Sequence, residues 1–166
     1  MRIRLVRHGQ STWNAERRVQ GQQDPPLSEL GREQARSLSL HGVPVLCSDL
    51  RRTRETAALA GAADVTLHRR LREQGLGVLE GLPLDEALAA YPDHDWTDVD
   101  ARVPGGESLR DVWDRLVTIP LPSAPEIAVV THGDTIRVAR CAFAGRPVED
   151  VTHDVPRNGG VTVLDV

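Results

Sequence analysis

Two short segments of this sequence share one design. Leu5-Val6 runs into Arg7-His8-Gly9, and Val129-Val130 runs into Thr131-His132-Gly133. Each apolar pair reads as the end of a strand, so each delivers an imidazole to a strand's C-terminal end, the edge at which open parallel sheets bind ligands. A single His-Gly pair is as well explained by a structural histidine at a turn, with Gly supplying an unusual backbone angle. Two in matched contexts point to a pair of imidazoles facing one another, suited to nucleophilic or acid–base chemistry.

The cations narrow that chemistry. The chain contains no Lys, so its 20 Lys+Arg residues are all Arg. Walker-A phosphate loops and Schiff-base mechanisms both require Lys and are excluded. An anionic substrate must be held by guanidinium groups, which grip phosphate oxygens in a bidentate fork. A genome biased toward Arg codons is the better explanation of the count itself, but the exclusions hold either way. Metal sites generally add carboxylates or histidines at short spacing, such as His-x-His, and none occurs here. No metal and no other cofactor is expected. The formal charge of -4 predicts no generic affinity for nucleic acid.

These residues need a scaffold. A chain of 166 residues with 40% hydrophobic content fits one domain, residues 1–166. Short apolar segments alternate with helical patterns, which predicts an α/β fold: a three-layer sandwich with a mostly parallel central sheet and helices on both faces. Strands are expected near 2–6, 43–47, 65–67, 127–130 and 161–164, and helices over 30–40, 50–60, from 108, and over 135–144. Ser48 and Asp49 can cap the second helix and Gly61 can end it. Ser108 and Asp111 form a capping-box-like start, and Leu109, Val112, Trp113 and Leu116 follow at helical spacing, which makes Trp113 a core residue. Residues 82–106 carry Pro83, Pro92 and Pro104-Gly105-Gly106 and read as an irregular, lid-like excursion over one sheet face. Cys47 and Cys141 fit neither a zinc spacing nor a disulfide framework and read as free, buried thiols, which favours a cytoplasmic location. The first six residues are too short and too charged for a signal peptide, and no apolar run approaches the ~20 residues of a bilayer crossing.

Beyond the two His-Gly turns, the sequence resembles the histidine phosphatase superfamily, also called phosphoglycerate-mutase-like. Residues 5–14, Leu-Val-Arg-His-Gly-Gln-Ser-Thr-Trp-Asn, resemble its opening signature, and residues 26–35 its first helix entry. Residues 48–57 resemble its second Arg motif, Leu71-Arg72-Glu73 with Gly77 and Glu80-Gly81 its acidic loop, and 104–108 and 130–133 complete the set. The resemblance implies that His8 is the nucleophile, that Arg7, Arg52 and His132 surround the transferred phosphoryl group, and that Glu73 donates a proton. Asn14, Gln20 and Gly21 match positions that bind substrate on the phosphate side of the pocket. Each has an alternative: Arg51, Arg52 and Arg54 share one helix, Glu80 competes with Glu73, Asn14 can cap a turn, and Gln20 and Gly21 can be loop residues. His41, His68, His94 and His153 match nothing and default to structural or exposed roles.

The chemistry agrees with those roles. An attacking imidazole must be neutral at the reacting nitrogen, and a backbone carbonyl in the Gly9 turn is a natural acceptor for the other. Fixed guanidinium charge serves the equatorial oxygens in phosphoryl transfer. Glu73 can act as the acid if burial or neighbouring charge raises its pKa. The sequence departs from the usual pattern at Thr53, at Val78-Leu79, and at Asp134, whose carboxylate is expected to raise the pKa of His132.

Mutases and phosphatases of this kind differ in where the phosphoryl group goes next. The segment from Glu73 to His132 is short, and residues 133–166 offer no long tail, so hydrolysis of a small-molecule phosphomonoester is expected over mutase activity. The acidic stretch 91–100, if it lids the pocket, disfavours multiply charged anions and favours a monophosphate with an apolar body. Two other classes stay open at this point, a metal hydrolase and a non-catalytic phosphate-binding module. No nucleic acid or membrane partner is expected, and oligomeric state is left open.

Overall fold

The computed structural model describes residues 1–166. Its centre is a five-stranded sheet in the order β3-β2-β4-β1-β5. The strands are β1 (Arg2–Arg7), β2 (Val45–Cys47), β3 (Val65–Leu67), β4 (Glu126–Thr131) and β5 (Val161–Asp165). Four are parallel, and β5 pairs antiparallel to β1 at one edge. β1 and β4 are neighbours with Arg7 opposite Thr131, and His8 N donates to Thr131 O at 3.0 Å. That register brings the two His-Gly turns out of the sheet side by side.

The central strand β4 is buried on both faces, which is why it is a continuous apolar run, while the edge strands β3 and β5 are largely exposed. Ile127 and Val129 join Ile3 and Leu5 in one core, with Leu109, Val112 and Leu116 of helix α5 (Leu109–Leu116) and Ile136 and Val138 of α6 (Gly133–Ala142). Ala128 and Val130 point the other way, to Val6, Cys47 and Ala57, the last from α3 (Arg51–Leu59). The expected three-layer α/β architecture follows from this alternation.

Several helix boundaries differ from expectation for identifiable reasons. α2 spans Glu29–Arg36, shorter than 30–40, and starts where Ser28 Oγ accepts from Gly31 N at 3.1 Å. α3 is not capped by Ser48 or Asp49. Asp24, distant in sequence, accepts from Arg51 N at 2.6 Å, while Asp49 forms a bidentate pair with Arg72, both bonds at 2.7 Å. Gly61, at φ +79°, follows the end of α3 as expected. The Ser108–Asp111 capping box is present on α5. Trp113 is only half-buried: it packs against the core's rim while its Nε1 donates to Arg146 O at 3.1 Å. A polar tip needing a partner keeps the indole at the boundary. Cys47 and Cys141 are free and buried, and burial pushes the Cys47 thiol up to about 12.

The 82–106 excursion is less irregular than its prolines suggested. Leu84–Ala90 forms helix α4, with Asp85 and Glu86 in its first turn where the helix dipole favours them. Ala87 packs with Val19, Leu79 and Val103 in a small satellite core. A further short helix, α1 (Thr12–Ala15), opens on a Ser11–Asn14 capping box. No helix is long and apolar enough to cross a membrane.

The loop after β1 lies directly on the start of α2. A Cβ on Gly9 would stand 2.2 Å from Gly31 O, and one on Gly31 would stand 1.9 Å from Gln10 O. Both neighbours are backbone and cannot step aside. Gly31→Ala is therefore expected to cost about 3 kcal/mol, the upper range for overpacking, read as a lowered urea midpoint. An unchanged midpoint would contradict the contact.

Candidate active site

The two imidazoles face each other as the paired turns imply, with ring centroids 5.2 Å apart in a T-shaped arrangement at 62°. Both side chains are buried. His8 Nδ1 donates to Gly9 O at 2.6 Å, which fixes the tautomer and leaves Nε2 with a lone pair. The turn itself is held by Gly9 N donating to Thr56 Oγ1 at 3.1 Å. Burial, assisted by the charges of Arg52 and Arg7, holds His8 well below the usual histidine pKa, so the ring is neutral at neutral pH.

Arg52 selects itself from its helix. Its side chain is fully buried, whereas Arg51 and Arg54 are exposed. Arg52 Nε donates to His8 Nε2 at 3.3 Å, and the guanidinium is aimed by Gln23 O at 2.6 Å and Gly21 O at 2.9 Å. Burial brings its pKa down to about 10, which leaves it a cation near neutrality. Arg7 is anchored by Nη1 donating to Pro156 O at 2.6 Å, and its Nε is buried without a protein partner. A Cβ on Gly133 would stand 2.8 Å from Val155 Cγ1 and in ordinary contact, at 3.4 Å, with Arg7 Nε, so the glycine leaves room for Val155 against the second turn.

His132 Nε2 bonds Ser48 Oγ at 3.0 Å, and its Nδ1 is buried with no protein partner. The expectation that Asp134 raises its pKa is not met. Burial first, then Arg52 and the neighbouring His8, hold His132 well below the usual value. Asp134 sits in the first turn of α6 and gives its carboxylate to Arg137, three residues on, at 2.6 Å. Its charge acts on Glu73 instead.

Glu73 lies against the start of α6. Its Oε1 accepts from Gln74 N at 3.0 Å and from Thr135 N and Oγ1 at 3.1 Å each, and Asp134 N approaches Oε2 at 3.4 Å. Those donors favour the anion, yet burial and the Asp134 charge outweigh them and raise the Glu73 pKa above the usual carboxylate value. Glu80 is committed elsewhere: its oxygens accept from Gln22 N at 3.0 Å, Leu76 N at 2.9 Å and Gln23 Nε2 at 2.9 Å, tying three loop segments together.

The remaining sequence candidates occupy supporting positions. Asn14 Oδ1 accepts from Ser11 N at 3.0 Å and from Asn158 Nδ2 at 3.3 Å, so it does cap α1, while Asn158 also donates to His8 O at 3.2 Å. Gln20 Oε1 accepts from Ser11 Oγ at 2.6 Å, and Gly21 meets the site through its carbonyl on Arg52. His41 lies against Gly61, His68 accepts from Arg70 N at 3.3 Å, His94 packs against Trp96 with the rings tilted by 60° and their centroids 4.2 Å apart, and His153 bonds Arg137 at 3.1 Å. Thr56, Thr135 and Asn158 hold the site and were not singled out from sequence, and Ser48, which also holds it, was read there only as a helix cap. Thr56 on α3 and Thr135 on α6 are polar positions that carry no periodic signal, as are Ser48 and Asn158 outside the helices, and only proximity in the fold reveals them. No three His, Cys, Asp or Glu side chains gather as a group that could hold a metal ion.

Comparison with known proteins identifies the family. Residues 3–166 match the model of the histidine phosphatase superfamily, branch 1. A Salmonella paratyphi C protein named as a probable phosphoglycerate mutase is 36% identical over 184 aligned residues, spanning 99% of this chain and 85% of that protein. Among solved structures, a mycobacterial glucosyl-3-phosphoglycerate phosphatase superposes with a TM-score of 0.85 at 33% identity, covering 99% of this chain and 92% of its own. Bacillus stearothermophilus YhfR superposes with a TM-score of 0.84 at 32% identity, covering 99% and 91%. The chain belongs to the histidine phosphatase superfamily, branch 1, as an enzyme of the histidine-phosphatase type.

Proposed function

We propose that this enzyme hydrolyses small phosphomonoesters by transferring the phosphoryl group to His8 and then to water, without a metal. One observation carries the reading. The His8 imidazole is neutral, pinned through Nδ1 to Gly9 O, and presents Nε2 beside the Arg52 guanidinium. In the first step Nε2 attacks phosphorus as the P–O bond to the leaving group breaks. Arg7, Arg52 and His132 stabilise the equatorial oxygens; Arg7 Nε and His132 Nδ1 are buried donors with no competing protein partner. Glu73, its pKa raised, protonates the departing oxygen, and in the second step takes a proton from the attacking water.

An apolar cavity of about 290 Å³ lies beyond Asp134, lined by Val19, Leu76, Leu84, Leu88 and Trp96. It suits the uncharged body of a monophosphate whose ester oxygen reaches Glu73, and Trp96 brings part of the acidic 91–100 stretch to its wall.

A mutase reading draws on the 36% identical relative named for that activity. The two are separated by product partitioning with a bisphosphoglycerate present and chelator added. Free phosphate is expected to exceed isomerised phosphoglycerate, because apart from the core elements α5 and β4 the short Glu73–His132 segment contributes only the short helix α4 and a single tight turn, too little to exclude water from the intermediate. Isomer in excess, or activity that needs a divalent ion, would overturn the reading.

A further inference from the structure

β3 is an edge strand, and the chain leaves it through a tight turn at Arg69–Leu71. A cleft of about 560 Å³ opens there, lined by Arg69, Arg70, Arg72 and Arg115 together with His68 and Glu107. None of Arg7, His8, Arg52, Glu73 or His132 lines it, nor does any residue of the acidic 91–100 stretch.

The four guanidiniums are not equivalent. Arg115 is fully engaged: Nε and Nη2 hold Glu107 at 3.0 and 3.1 Å, Nη2 also reaches Glu73 O at 3.1 Å, and Nη1 donates to Arg70 O. Arg72 gives Nε and Nη2 to Asp49 and leaves Nη1 without a bond. The side chains of Arg69 and Arg70 are exposed and make neither an ion pair nor a hydrogen bond. Asp49 and Glu107 thus neutralise Arg72 and Arg115, and the charges of Arg69 and Arg70 remain. Two adjacent unpaired cations repel one another, which is notable in a chain of net charge -4 whose other arginines are mostly ion-paired. The local field is also felt by His68, whose pKa is lowered by burial and then by Arg70.

We propose that this cleft is a second anion site, taking a compact dianion such as a diphosphate, or a phosphate beside a carboxylate, between Arg69, Arg70 and the free Nη1 of Arg72. Two flexible guanidiniums supply the charge, and the two anchored ones supply a fixed wall. Through Arg115 and Gln22, both of which donate to Glu73 O, the wall is joined to the backbone of the proposed acid. The dianion is either a free ligand or the distal acidic group of the molecule whose phosphoryl group is at His8.

The test saturates the histidine site with orthovanadate and titrates inorganic pyrophosphate at low ionic strength. Vanadate uptake is measured first on the wild type and on His8→Ala, and the part lost in that variant reports on the His8 site. One further pyrophosphate site is expected on the wild type, weakened by salt as exposed charges require, and at least about 10-fold weaker in the Arg69→Gln/Arg70→Gln double variant. Both side chains are exposed, so the variant retains the fold. Absence of the second site in the wild type, or equal affinity in the double variant, would overturn the proposal. A second arm identifies the source. It compares hydrolysis of a phosphomonoester bearing a distal acidic group with that of its neutral counterpart. If the double substitution lowers the ratio of their kcat/KM values by about 10-fold, the dianion is part of the substrate; an unchanged ratio, with the pyrophosphate site confirmed, makes it a free ligand.

Discussion

Replacing His8 with Ala is expected to lower phosphomonoester turnover by on the order of 10⁴-fold or more, the loss usual when a nucleophile is removed. Nothing nearby can substitute for it. His132 is held at Nε2 by Ser48 and has only its Nδ1 free, while a guanidinium such as Arg7 or Arg52 is a donor with no acceptor lone pair to attack with. His132→Ala is expected to slow the reaction less, by about 10²- to 10³-fold, the range for losing one transition-state hydrogen bond. Steady-state rates on p-nitrophenyl phosphate check both. If His132→Ala proves the silent enzyme and His8→Ala the slowed one, the two imidazoles have exchanged roles.

Glu73→Gln is expected to separate substrates by leaving group. An alkoxide needs a proton as it departs, so hydrolysis of an alkyl phosphate should slow by about 10²-fold or more, whereas p-nitrophenyl phosphate, whose leaving group is already acidic, should be little affected. Equal losses on both would make Glu73 a structural residue and leave His8 untouched. The pH profile carries the same signature. Burial and Asp134 raise the Glu73 pKa, and the acid must be protonated to act, so alkyl phosphate hydrolysis declines as pH rises through that raised value. Asp134→Asn removes one of the raising charges, and that change stabilises the carboxylate. The alkaline limb should therefore move to lower pH. A limb that stays in place would remove Asp134 from the account.

The parts of this fold that were legible in the sequence are those carried by periodicity. β4 shows as an unbroken apolar run because both its faces are covered, and α5 shows through Ser108, Asp111 and the spacing of Leu109, Val112 and Leu116. The pairing of the two histidines was also legible, because each follows a strand and adjacent parallel strands deliver their ends together. Long-range caps were not. Asp24 caps α3 from a distant loop, and Asp49, the local candidate, is drawn off by Arg72. The same limit applies to charge. Asp134 is two residues from His132, yet its carboxylate turns along α6 to Arg137, and its influence falls on Glu73 across the fold. Prolines marked the 82–106 segment as irregular, but Pro83 stands at the start of a helix, where the ring's fixed φ and missing N–H are no handicap.

The most direct test of the central claim is to trap the enzyme during turnover of p-nitrophenyl phosphate by rapid denaturing quench at alkaline pH and map the phosphoryl group by mass spectrometry. The account predicts an acid-labile, base-stable modification on the peptide containing His8, formed with chelator present, absent from His8→Ala and accumulating when the second step is slowed. Turnover of wild type with no covalent intermediate, or a phosphoryl group mapped to His132, would contradict it.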